Sequence, residues 1–70
     1  MREYASNTVQ VRRTESGITQ EQLAEYVGVS RQTIIAIEKG NYTPSVLLAL
    51  KVAKHFHVPV EKIFTISYDK

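Results

Sequence analysis

Arg31 and Gln32 stand side by side, followed closely by Thr33, Ile35 and Ala36. These types suit base recognition. An arginine guanidinium donates two parallel hydrogen bonds to guanine O6 and N7, a glutamine amide makes a matching pair with adenine, and methyl-bearing side chains fit the thymine methyl. The residues that could do enzyme chemistry are arranged less usefully. Glu21, Glu25, Glu61 and Asp69 are scattered, with no nucleophile and base at a working spacing. No glycine-rich phosphate loop follows a strand, and no serine occupies a nucleophile elbow. His55 and His57 are two positions apart, so a regular helix turns them away from a common ligand. The chain has no cysteine, which removes thiolate cages and disulfides from consideration. Neither a catalytic residue nor a metal or other cofactor is expected.

The candidate readers need a helix that exposes them, and the punctuation supplies one. Ser30 is a good N-cap and Gly40 a good stop, with Ile34 and Ile37 facing inward between them. The opposite face then carries Arg31, Gln32, Ile35, Ala36 and Lys39. Thr33 joins the first turn. Just upstream, Thr19 and Gln22 have the spacing of a capping box, and Leu23, Ala24 and Val27 form the inward face of a helix over about residues 20–27. Only Gly28, Val29 and Ser30 separate the two helices. Residues 20–39 thus have the parts of a helix-turn-helix: a helix to brace on the DNA backbone, a tight glycine turn, and a second helix free to enter the major groove.

Other helices are predicted around this pair. The first covers about residues 7–16, with Val9 and Arg13 on one face and Gly17 as its stop. The fourth follows Ser45 to about Phe56, with Leu48, Ala49, Val52, Ala53 and Phe56 inward. Pro59 opens a short fifth helix in which Val60, Ile63 and Phe64 close the core. The fold expected is all-α, a compact five-helix domain with a core over residues 7–64. Residues 1–6 and 65–70 are read as flexible or dimer-pairing termini. Ile66 and Tyr68 alternate like a strand, which six residues cannot stabilise alone, and Tyr4 could meet that extended tail.

Bulk properties narrow the class. Seventy residues make one domain and one core, here numbered 1–70, and 43% apolar with 23% charged composition suits a globular fold. The net charge of +2 permits nucleic acid without arguing for it. The longest apolar run is too short to span a bilayer, and no leader-like segment is read at the N-terminus. A cytoplasmic chain without a membrane partner is expected, and no pocket for a small effector is evident.

Residues 7–64 resemble the phage-repressor and Cro class of helix-turn-helix domains. The resemblance rests on Gly17-Ile18-Thr19-Gln20, Leu23-Ala24, Gly28 through Ile34, Ile37-Glu38-Lys39-Gly40, Tyr42-x-Pro44-Ser45, Lys51-x-Ala53 and Ile63-Phe64. It implies five helices of the lambda-repressor type, the third in the major groove of double-stranded DNA. It also implies a homodimer on a pseudo-palindromic operator and a role as a transcriptional regulator, with repression the favoured sign. Gln20 is implied to touch phosphate and to brace Gln32. Ser30, Lys39, Asn41 and Tyr42 are the further phosphate candidates, since helix starts and loop amides hold phosphate oxygens readily. Arg13 and Glu38 are implied to form a buried ion pair. Ile35 and Leu47 depart from the family pattern by putting apolar residues where polar ones are usual. Arg12 departs too, its stem expected on the core edge and its head in water.

Leu47 and Leu50, with Ile66 and Tyr68, are candidate dimer surface. They also keep a second reading open: a protein-interaction module, such as an antitoxin or bridging factor, that meets DNA weakly or not at all. Under that reading Arg31 and Gln32 are ordinary solvated helix surface.

Overall fold

Three hydroxyl caps set the helix starts. Thr19 Oγ1 accepts from the Gln22 amide at 3.0 Å while Gln22 Oε1 accepts from the Thr19 amide at 2.8 Å, which closes a reciprocal capping box. Ser30 Oγ accepts from the Thr33 amide at 3.3 Å, and Ser45 Oγ from the Leu48 amide at 3.1 Å. The helices that follow are α2 (Gln20–Val27), α3 (Arg31–Glu38) and α4 (Val46–His55). Gly28 ends α2 with φ of 77°, a left-handed conformation that costs glycine little. These elements belong to a computed structural model that describes residues 2–69. Met1 and Lys70, the outermost residues of the two terminal segments, lie outside the described residues.

The first helix, α1 (Val9–Glu15), is shorter than expected. Asn7 is the reason. Its Oδ1 accepts from the Val9 amide at 3.1 Å, its Nδ2 donates to the Ile37 carbonyl at 2.9 Å, and its backbone belongs to a strand, β1 (Glu3–Asn7). The expected fifth helix is also corrected. Pro59 does open a turn, but it is a single 3-10 turn over Val60–Lys62, because the chain is already extended from Phe64. The strand β2 (Phe64–Tyr68) pairs antiparallel with β1, Tyr4 opposite Ser67 and Ala5 opposite Ile66. Ser6 Oγ adds cross-strand bonds to Thr65 Oγ1 at 2.9 Å and Ser67 Oγ at 2.7 Å. The fold is therefore mostly helical rather than all-α: the described residues form four α-helices and a two-stranded sheet of β1 and β2. The tail that could not make a sheet alone finds its partner at the N-terminus.

The core is a single cluster of Val9, Leu23, Ala24, Val27, Ile34, Ile37, Leu48, Val52, Ala53 and Ile63. Ala49 and Phe56, expected inward, are only half-buried, as are Val60 and Phe64 at the edge of the core. Tyr26 lies outside and stacks on His55 with ring centroids 4.6 Å apart.

One ion pair joins α1 to α3. Arg13 Nε lies 2.6 Å from Glu38 Oε2 and Nη2 3.2 Å from Oε1, while Nη1 donates to the Ile18 carbonyl at 2.9 Å. Both side chains are almost fully covered, at 11% and 3% exposure. Removing the guanidinium strands a carboxylate in the interior, so Arg13→Ala is expected to lower unfolding free energy by roughly 3 to 5 kcal/mol in urea titrations. A midpoint unchanged from the parent would contradict the pair's energetic role.

His57 holds φ of 59°, where the αL end of α4 would ordinarily favour glycine. The left-handed conformation costs a residue with a Cβ about 1 to 2 kcal/mol. Part of that gain is lost to the greater freedom of glycine in the unfolded chain. His57→Gly is therefore expected to raise stability by up to about 1 kcal/mol, read as a higher urea midpoint.

Candidate nucleic-acid interface

Ile34 and Ile37 are fully buried, and they fix which side of α3 meets the core. Arg31 and Gln32, one turn before them, are exposed. Neither side chain takes part in a hydrogen bond or ion pair among the described residues, so both are available to an incoming group. Arg31 borders an open groove of about 440 Å³ with Arg13, Ile18, Thr19, Gln20 and Glu21. That groove runs along the start of α2, and its proximity to Arg31 places a cation beside the helix end that carries partial positive charge.

The other proposed base readers are less open. Thr33, Ile35 and Ala36 are half-buried. The Thr33 hydroxyl lies 3.1 Å from Ser30 Oγ within the α3 cap, and the residue lines a groove of about 250 Å³ with Tyr42, Leu47 and Lys51. Thr33 is thus turned toward α4 rather than along the line of Arg31 and Gln32. Ile35 is not a bare apolar residue on the surface, because neighbouring atoms cover part of it.

Among the phosphate candidates, Ser30, Lys39, Asn41 and Tyr42 are exposed. The last three follow α3 in a turn through Gly40, whose φ is 78°. There the Asn41 amide donates to the Ala36 carbonyl at 2.9 Å. Gln20 requires a correction. Its Nε2 donates to Glu38 Oε1 at 3.0 Å, so its amide braces the buried carboxylate of α3 and not Gln32. One of its two amide protons is used in that bond. Residues 20 and 38 are too far apart in sequence for a spacing rule to connect them. Arg12, by contrast, reaches the Thr8 hydroxyl and the Lys62 carbonyl, each at 3.3 Å, at the exposed edge of the domain.

The dimer candidates sit on separate elements: Leu47 and Leu50 on α4, Ile66 and Tyr68 on β2, all at least half exposed. Val46, missed in the sequence, is the most exposed large apolar residue of the described chain at 77%. Its spacing of four from Leu50 was the available signal, since such residues share a helix face.

Comparison with known proteins agrees with this geometry. The family model described as helix-turn-helix matches residues 9–63. A protein of Methanocaldococcus jannaschii named as an HTH-type transcriptional regulator is 53% identical over 64 residues, covering 91% of this chain and 97% of that protein. The cryptic phage CTXphi transcriptional repressor RstR of Vibrio cholerae is 32% identical over 62 residues, which is 89% of this chain and 56% of the repressor. Among solved structures, the restriction-modification controller protein C.AhdI from Aeromonas hydrophila superposes with a TM-score of 0.72 at 28% identity, covering 77% of this chain and 82% of C.AhdI. The chain belongs to the helix-turn-helix family.

Proposed function

We propose that this member of the helix-turn-helix family is a sequence-specific transcriptional regulator that binds double-stranded DNA, with α3 lying in the major groove. The observation that carries the reading is the contrast within α3: Ile34 and Ile37 are fully buried, while Arg31 and Gln32 in its first turn are exposed and unpartnered among the described residues. A rigidly seated helix with open, bidentate donors at its N-terminal end is what base readout in the major groove needs. Lys39, Asn41 and Tyr42, in the turn beyond α3, are assigned to phosphate, and so is the remaining amide proton of Gln20. Ile35 and Ala36 are assigned to thymine methyls.

The proposal includes a homodimer on a pseudo-palindromic operator, since two recognition helices about 34 Å apart combine two modest half-site contacts into specific binding. Its surface is drawn from Leu47, Leu50, Ile66 and Tyr68. Repression follows when the occupied operator excludes polymerase. The cytoplasm is the location that goes with this reading; no helix among the described residues is long and apolar enough to cross a membrane.

The second reading is the protein-interaction module. The exposed stripe of Val46, Leu47 and Leu50 on α4 favours it, because adjacent uncovered apolar side chains commonly mark protein contacts.

Selection of bound duplexes from a random DNA library at near-physiological salt tests the two. Enrichment of an inverted repeat with half-sites one turn apart is expected, whereas salt-sensitive background binding alone would favour the interaction module. With the operator in hand, Arg31→Ala is expected to weaken binding by about 1 to 3 kcal/mol and to relax preference at one base position. Lys39→Ala should instead weaken all sequences alike and reduce the salt slope by about one. Equal effects of Arg31→Ala on every sequence would remove that residue from base reading.

A further inference from the structure

We propose that the outer edge of β2 is the seam at which two copies of this chain join, their β2 strands pairing antiparallel across a twofold axis at Ile66. The inference rests on the dimer reading above and chooses among its candidate surfaces. It starts from the hydrogen-bond phase of the existing sheet. Thr8 donates to the Ile63 carbonyl at 3.0 Å and Asp69 to the Arg2 carbonyl at 2.8 Å, at the two ends of the β1/β2 ladder. In an antiparallel pair, bonded and non-bonded positions alternate. With the observed register the bonded pairs are Arg2 with Asp69, Tyr4 with Ser67, Ser6 with Thr65 and Thr8 with Ile63. The backbone groups of Phe64, Ile66 and Tyr68 must therefore point away from β1. Among the described residues no strand other than β1 lies beside β2, so these groups form an open row.

Proteins commonly protect such an edge with charge, proline or a bulge. Strand β2 has no such protection: its sequence is Phe-Thr-Ile-Ser-Tyr, paired without interruption. These are uncharged residues, mostly β-branched or aromatic, of the kind that favours strands. The outer edge of β1 differs. Glu3 lies in that strand, and Tyr4, Ala5, Ser6 and Asn7 border a groove shared with Glu38, Lys39 and Gly40 at the end of α3. Asn7 is tied to the Ile37 carbonyl there. One edge thus lies against the recognition helix and the other is open.

A second copy fits the open edge because β2 complements itself. Pairing about Ile66 sets Ile66 opposite the partner's Ile66 and Phe64 opposite the partner's Tyr68, all positions whose backbone groups point outward. Thr65 then meets the partner's Ser67 on the other face. No like charges oppose one another within the strands, and the aromatic and β-branched pairs are of the stabilising kind. Ile66 and Tyr68, exposed at 67% and 56%, gain cover on the face they share with Ala5. An edge of five residues is small beside the roughly 1,600 Å² of a standard interface, so the association should depend on concentration and strengthen on a two-half-site operator.

Sedimentation of the full chain over a range of concentrations, with and without operator DNA, tests the seam. The parent should pass from monomer to dimer as concentration rises. Ile66→Lys should hold it as monomer with unchanged helical circular dichroism, and mixing Ile66→Lys with Ile66→Asp should restore the dimer, because the two positions face each other on the axis. The chain has no cysteine, so Ile66→Cys offers a milder variant that mild oxidation should convert to a disulfide-linked dimer, while Val46→Cys should not. If Leu47→Asp abolishes the dimer and Ile66→Lys does not, the β2 seam is overturned and the dimer reading survives on α4. A parent that stays monomeric at every concentration, alone and on DNA, overturns both.

Discussion

The Glu38 carboxylate is nearly sealed from water, and a buried charge of that kind is tolerable only when its oxygens are fully matched. Here they receive Arg13 Nε and Nη2 and the amide of Gln20. The two donor residues and the acceptor stand on three different elements. Arg13 stands on α1, Gln20 opens α2, and Glu38 closes α3; a fourth bond from Arg13 to the Ile18 carbonyl holds the loop between the first two helices. Satisfying one carboxylate therefore fixes the relation of α1, the front of α2 and the back of α3. The apolar core alone would leave α3 free to roll by small amounts, since Ile34 and Ile37 are shaped for burial and not for direction. Charged, directional bonds at its C-terminal end remove that freedom.

A second amide performs the same service for the termini. Asn7 accepts from the Val9 amide at the start of α1 and donates to the Ile37 carbonyl near the end of α3. The end of β1, the start of α1 and the end of α3 thus meet at one side chain. That anchoring helps explain how so short a sheet persists. Two strands alone are marginal in water, but this pair is held at its base by Asn7, by the Thr8 to Ile63 bond and by the burial of Ile63. Beyond that base, the strands extend with little apolar cover.

Most of the helical frame was legible because local chemistry and global packing agree. The Thr19 capping box, the Ser30 and Ser45 caps and the left-handed glycines mark boundaries by interactions of two to four residues, which sequence displays directly. The inward positions of α2 and α3 follow from the 3.6 period, and the structure buries Leu23, Ala24, Val27, Ile34 and Ile37. What was not legible depends on residues far apart. A fifth helix looked reasonable from Pro59 and the apolar residues after it, yet the pull of β1 some sixty residues earlier makes Phe64 a strand residue. The alternation of Ile66 and Tyr68 signalled an extended tail that Tyr4 could meet, but nothing local shows that the pairing begins as early as Phe64. The Gln20 bond to Glu38 was hidden for the same reason: it exists only after α2 and α3 have packed. Exposure of the candidate interface was half legible. Helical spacing separates Arg31 from Ile34, but it cannot say that neighbours cover half of Thr33, Ile35 and Ala36.

That uneven exposure bears on how the proposed reading head would work. Arg31 and Gln32 are long, exposed and placed in the first turn, so they can reach base edges over several ångströms while α3 stands slightly off the groove floor. Ile35 and Ala36 have no such reach. Their methyl groups can contact a thymine only where the helix itself approaches closely. The depth of approach would then be governed by the proposed backbone contacts on either side of α3, from Gln20 at the start of α2 and from Lys39, Asn41 and Tyr42 after its end. Because Gln20 is bonded to Glu38 and Asn41 to Ala36, these two residues, proposed to meet phosphate, are fixed to α3 itself. In the proposed arrangement the backbone contacts would position the helix, the two polar readers would make the first discrimination, and the apolar readers would contribute only at a sequence whose groove admits α3 to full depth.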